Sequence, residues 1–157
     1  MPNNTEEHSL FQKIKSFPFH TFLIALYPIL YVYSRNLMNI PFRETTRYLL
    51  ISVFFFSFLL IVFRVVLKDW GKAGLLSSLI AGLFYSFGHI ANAIENFLLT
   101  TPWDFNLRTL LWVWLILFLV ASYFIVSKPT PGTSTQFFNL ICLILVVFVV
   151  INIASVG

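Results

Sequence analysis

Between residues 73 and 96, one helical face carries most of the side chains in this sequence that could do chemistry. Ser78, Gly82, Tyr85, His89, Asn92 and Asn96 follow one another at spacings of four, three, four, three and four, the repeat that places successive side chains on one side of an α-helix. A hydroxyl, a phenol, an imidazole and two carboxamides in a row could hold a polar ligand or pass a proton. An ionisable group such as His89 in an apolar helix also needs a partner. Packing is the more ordinary use of such groups, which sit at membrane interfaces or bond across to neighbouring helices for about 0.6 to 2 kcal/mol each. Ser78, Tyr85, His89 and Asn92 are therefore a candidate polar face pointing into a bundle, with packing weighing more heavily than binding. Gly74, Ser78 and Gly82 form a row of small residues on the same helix. Such a row lets two backbones approach closely and argues that this helix is central to the fold.

The remaining polar groups give less. Arg35, Arg43 and Arg47 flank Glu44 in a short segment and could meet a lipid phosphate through charge-assisted hydrogen bonds, although interfacial arginines ordinarily just anchor helices. Glu95 and Asp104 share a polar stretch, but nothing fixes their separation and no His or Cys accompanies them at ligand spacing. The sequence has no glycine-rich phosphate loop, no GxSxG elbow and no HExxH pair. Cys142 is the single cysteine, which excludes a disulfide framework within the chain. No catalytic, metal or cofactor site is read. The net charge of +4 comes from singly scattered Lys and Arg, so nucleic acid is not an expected partner.

What must position these residues follows from composition. Of 157 residues, 59% are hydrophobic, 18% aromatic and only 10% charged, whereas soluble domains are about 45–50% apolar and about 25% charged. A hydrocarbon core about 30 Å thick takes about 20 apolar residues per helix. Five such runs, at about 18–34, 48–67, 73–94, 109–127 and 137–156, predict an all-α polytopic membrane bundle forming a single domain over 1–157. Pro28 predicts a kink in the first helix. Residues 35–47 read as the first loop. The turn from Lys68 to Lys72 is too short to cross anything and joins two antiparallel helices, with Trp70 at interfacial depth. Pro102, Trp103 and Asp104 mark an interfacial loop, and Pro129, Pro131 and Gly132 a turn. Glu6 and Glu7 precede the first run and no small-x-small site follows it, so that run reads as a retained helix rather than a signal peptide. Alternation then places Lys13, Lys15, Arg64, Lys68, Lys72 and Lys128 on one side against Arg35, Arg43, Arg47 and Arg108 on the other. Six to four favours a cytoplasmic N-terminus, Gly157 on the opposite side, and residence in the cell inner membrane.

ALYPIL at 25–30, RNL at 35–37 followed by Pro41, KDWGKAGLL at 68–76 and FGH at 87–89 together resemble the N-terminal membrane region of bacterial sulfatase-like membrane proteins of the alkaline phosphatase superfamily. The resemblance covers roughly Pro18 to Asn92. It implies membrane helices that precede an extracytoplasmic hydrolase or transferase domain with a metal-bound Thr or Ser nucleophile. The sequence ends at Gly157 before any such domain, so no catalytic residue carries over, and enzyme activity would belong only to a downstream domain. The expected role is a membrane anchor or lipid-substrate platform with membrane lipids as partners. An accessory subunit of a larger membrane complex is the alternative, and a transporter using the polar stripe ranks last.

Overall fold

Backbone that enters hydrocarbon has no water to bond to, so each apolar run must satisfy its own N–H and C=O groups, and the helix is the local solution. The computed structural model of the protein describes residues 17–98, 106–128 and 132–156. Within them lie five helices: α1 (His20–Arg35), α2 (Phe42–Leu67), α3 (Trp70–Leu98), α4 (Leu107–Ser127) and α5 (Gly132–Val156). Four are long and apolar enough to cross a membrane, namely α2, α3, α4 and α5. Of the five membrane helices expected, all five are helices and these four meet the length and apolarity of a span. With 16 residues, α1 is about 24 Å long against a hydrocarbon core of about 30 Å.

The helices also run further than the apolar stretches that predict them. α2 starts at Phe42, behind Pro41, whose ring occupies the N-cap and has no amide to satisfy. The expected loop 35–47 thus shrinks to Asn36–Pro41, and Arg43 and Arg47 belong to a helix. α3 starts at Trp70 because Asp69 accepts the Lys72 amide at 3.0 Å, which leaves only Lys68 and Asp69 as the turn. α4 starts behind Asn106, whose side chain accepts the Arg108 amide at 2.9 Å. Both are ordinary side-chain caps. At the other end of α4, the Lys72 ammonium donates to the Val126 carbonyl at 2.6 Å, satisfying one of the orphan acceptors of a helix C-terminus. The expected features at Lys13, Lys15, Pro102, Trp103, Asp104, Pro129, Pro131 and Gly157 lie outside the described residues.

α1 is the hub, packed against α2, α3 and α5, while α4 packs chiefly on α3. The core is small: Ala25 of α1, Phe56 of α2 and Ala81 of α3 are buried, with Ile24, Leu59, Ile80 and Tyr85 packed around them. Large apolar side chains face outward, Phe54 at 79% exposure and Phe148 at 70% among them. That inversion suits a lipid surround, which is as apolar as the interior. Where α2 meets α3, the Arg64 guanidinium lies 5.3 Å from the Trp70 ring centre, and the Phe17 ring packs tilted at 46° against the same indole with centroids 5.4 Å apart.

The start of α1 explains how a short helix holds its place. Phe19, at its N-cap, supplies no side-chain bond. Instead Asn139, from α5, accepts the His20 amide at 2.7 Å and meets His20 Nδ1 at 2.9 Å, both through Oδ1. Its Nδ2 donates to the Phe17 carbonyl at 2.9 Å. Because Asn139 Oδ1 can only accept, His20 Nδ1 is the protonated nitrogen. The next amides bond locally, Thr21 and Phe22 to the carbonyls of Pro18 and Phe19 and Leu23 also to Phe19. The orphan donors of the first turn are thus satisfied without water. Gly74 permits the approach of α3: a Cβ there would lie 2.7 Å from Pro18 Cγ and closer still to Pro18 Cβ. Its carbonyl accepts the Thr21 hydroxyl at 3.2 Å.

Candidate functional site

Pro28 lies inside α1, where it brings no amide and its ring crowds the carbonyls one turn back. Beside that lesion, hydroxyls from two other helices converge on α1. Ser52 Oγ of α2 lies 3.1 Å from the Ala25 carbonyl, and Tyr85 Oη of α3 lies 3.2 Å from the same oxygen. The two hydroxyls are 3.2 Å apart. Two protons serve three contacts, so one hydroxyl bonds the carbonyl while the other bonds the carbonyl or its neighbour.

Above this knot a groove of about 720 Å³ opens between α1, α2 and α3. Its floor holds Ser52, Phe56 and Tyr85, and its walls include Val32 of α1, Phe55 of α2 and Phe84 of α3. Tyr33, Ile40, Tyr48 and His89 border the end where α1 finishes and α2 begins. Along α2 the lining spans Thr45 to Phe56, and along α3 Ile80 to His89. At 1.5 Å per residue these are about 16 and 14 Å, the depth of one leaflet of a hydrocarbon core about 30 Å thick. The lining is apolar and aromatic, with polar tips only at the floor and the mouth, as in sites for largely apolar ligands.

The predicted polar stripe divides into two parts. Ser78 donates to Thr21 Oγ1 at 3.4 Å, and Tyr85 reaches Ala25, so these two face α1 and pack. Gly82 permits no close approach, since a Cβ there would meet nothing within 4 Å. His89, Asn92 and Asn96 are exposed, and only His89 borders the groove. The stripe is thus not one inward face. Beyond Ala25, no hydrogen bond joins α1 to α3 among the described residues, and the groove opens there instead.

The three arginines expected in one loop are distributed. Arg35 ends α1, while Arg43 and Arg47 are one turn apart in the first turns of α2. All three are exposed at the mouth end of the groove. The α1 end beside them is closed by Asn36, which donates from Nδ2 to the Val32 carbonyl at 2.8 Å. Among the described residues, no group of three or more His, Cys, Asp or Glu could hold a metal ion. Asp104, the expected neighbour of Glu95, lies outside the described residues.

His20 and Asn139 were not singled out from sequence. His20 is fully buried, and its Nε2 has no hydrogen-bond partner among the described residues. The available signal is that His20 stands near the start of the first apolar run and that Asn139 and Asn152 are the two carboxamides of the last, and polar groups in such runs seek partners. Thr21, Ser52 and Ser77 are buried likewise, with Ser77 bonding back to the Ala73 carbonyl at 2.9 Å. Comparison of the chain with protein-family models, curated proteins and solved structures finds no match in any of the three. What is established is thus that the described residues are all-helical, with four helices long and apolar enough to span a membrane, and that a groove of about 720 Å³ lies between three of the helices.

Proposed function

We propose that this chain is a multi-pass membrane module that seats a lipid acyl chain in the groove between α1, α2 and α3, as an anchor and platform for a lipid substrate. The observation that carries this reading is the groove itself: about 720 Å³, one leaflet deep, aromatic along its walls and bordered at its mouth by Tyr33, Tyr48 and His89. Tyrosine and histidine suit that depth because each has an apolar body and a polar tip. Arg35, Arg43 and Arg47 then stand where a head group lies. In the orientation favoured by Arg64, Lys68, Lys72 and Lys128, these arginines face away from the cytoplasm and the protein resides in the cell inner membrane. A catalytic domain of the sulfatase-like type, working on the seated lipid from that side, is the role the motifs at 25–30 and 68–76 suggest.

The test is retention of lipid through purification. The purified protein should carry lipid that resists detergent washing, and Ile51→Trp, which adds bulk to the groove wall, should lose it while staying folded. A folded protein that washes free of lipid would refute the reading.

The packing of α4 favours a second reading, an accessory subunit in a membrane complex. α4 rests chiefly on α3 and leaves Leu111, Trp112 and Ile116 exposed. Stoichiometric membrane partners co-purifying in mild detergent would support it.

A further inference from the structure

A second groove lies beside the first. It runs between α3 and α4 with a volume of about 570 Å³, and it shares Ile80 and Phe84 with the groove between α1, α2 and α3. Phe84, 71% exposed, forms the ridge between them.

Both grooves occupy the same half of the bundle. α4 begins at the end where α1 finishes, and the second groove is lined from Leu111 to Phe118 on α4. From Leu111 to Phe118 is about 10 Å along the axis, so this groove is shorter than the first and starts one turn inside the end of α4 at Leu107. Its walls offer hydrocarbon only, because Trp114 turns its single polar atom away, Nε1 donating to the Leu83 carbonyl at 3.0 Å. The first groove, by contrast, has hydroxyls at its floor and His89 at its mouth. At the shared outer end, Arg47 precedes Ile51 by one turn, and Arg108 precedes Leu111 by three residues, so each sits on the groove side of its helix. Among the described residues this end carries Arg35, Arg43, Arg47 and Arg108 against Glu44 and Glu95, an excess of positive charge.

We infer that the ligand is a two-chain lipid with an anionic head group, straddling Phe84 with one acyl chain in each groove. This rests on the reading of the first groove as a chain seat and adds the number of chains and the sign of the head. A single-chain amphiphile fills one groove and leaves the other to bulk lipid. Two chains joined at one head need two adjacent slots running in the same direction within the same half of the bundle, and the ridge at Phe84 separates such a pair. Arginine on both flanks suits a phosphate, which it can bind bidentately.

The experiment is native mass spectrometry of the chain in detergent, titrated with phosphatidylglycerol, its single-chain lyso form and phosphatidylcholine. Phosphatidylglycerol should bind at least about tenfold more tightly than either of the others, a gap of about 1.4 kcal/mol. Leu115→Trp, which fills the second groove, should bring phosphatidylglycerol down to the lysolipid level and leave lysolipid binding unchanged. Leu117→Trp, off both grooves on the same helix, should alter neither. If Leu115→Trp does not fold, Leu111→Trp makes the same test nearer the surface. Equal binding of the one- and two-chain lipids, or no effect of a folded groove-filling variant, would overturn the straddling arrangement and leave a single-chain seat standing. Equal binding of phosphatidylcholine would overturn the anionic preference. Failure of every lipid to bind would remove the seat as well.

Discussion

The Tyr85 hydroxyl meets the carbonyl of Ala25 at 3.2 Å, three residues ahead of Pro28, in the turn that the proline disturbs. Ser52 reaches the same oxygen from α2, so one acceptor on α1 ties α2 and α3 together at the foot of the groove. Each hydroxyl can substitute for the other. Tyr85→Phe and Ser52→Ala should therefore each cost only about 0.6 kcal/mol, the average for an interhelical hydrogen bond in a membrane. The double variant should cost more than the sum, because only then does the carbonyl lose both donors. A thermodynamic cycle in detergent or bicelles measures this coupling, and strict additivity would show that the two hydroxyls act separately.

Asn139 caps α1 from another helix. Replacing it by Leu keeps approximate volume but leaves the His20 amide and the Phe17 carbonyl without this partner in a dry environment. The loss should be about 1–3 kcal/mol of stability, the cost of stranding buried polar groups. Asn152→Leu on the same helix makes a control, since the contact of Asn152 is local, its carbonyl accepting the Ser155 hydroxyl at 2.8 Å. Comparable losses in thermal unfolding for the two variants would contradict the trans-cap.

Two glycines on α3 should behave oppositely. Gly74→Ala drives a methyl into the rigid Pro18 ring and should destabilise by about 1–3 kcal/mol, the usual cost of overpacking. Gly82→Ala meets open space and should be neutral or stabilise by up to about 1 kcal/mol through helix propensity. Unfolding midpoints for the pair check the sign at each site.

Lys68 ends α2 with φ 55° and ψ 19°, the left-handed region that costs an L-residue about 1–2 kcal/mol. Its amide still bonds to the Arg64 carbonyl at 2.9 Å, so the conformation is part of the cap. Lys68→Gly should raise stability by about 1 kcal/mol, with Lys68→Val lowering it. A stabilising valine would mean that the turn relaxes to another conformation.

These sites show what the sequence makes legible. Alternating apolar runs sufficed to read five helices, and the four–three spacing put Ser78 and Tyr85 on the face that bonds α1. Hydropathy marks where hydrocarbon is tolerated, however, and not where backbone hydrogen bonding stops. Helices capped by Asp69, Asn106 or Pro41 therefore run past their apolar stretches, and Arg43 and Arg47 fall on a helix. His89 shares its spacing with Tyr85 yet is exposed at the mouth of the groove, because spacing does not report where neighbouring helices part. The pairing of His20 with Asn139 spans 119 residues and depends on how α1 docks on α5, which no local pattern encodes.

The central claim, a lipid chain seated between α1, α2 and α3, is tested most directly by photo-crosslinking in vesicles with a phospholipid carrying a diazirine in its acyl chain. Adducts concentrated on the groove residues Ile51, Phe55, Ile80 and Phe84 are the expected result. Adducts spread evenly over the outward faces of α4 and α5, such as Ile116 and Phe148, would show an ordinary lipid surround and contradict the seat.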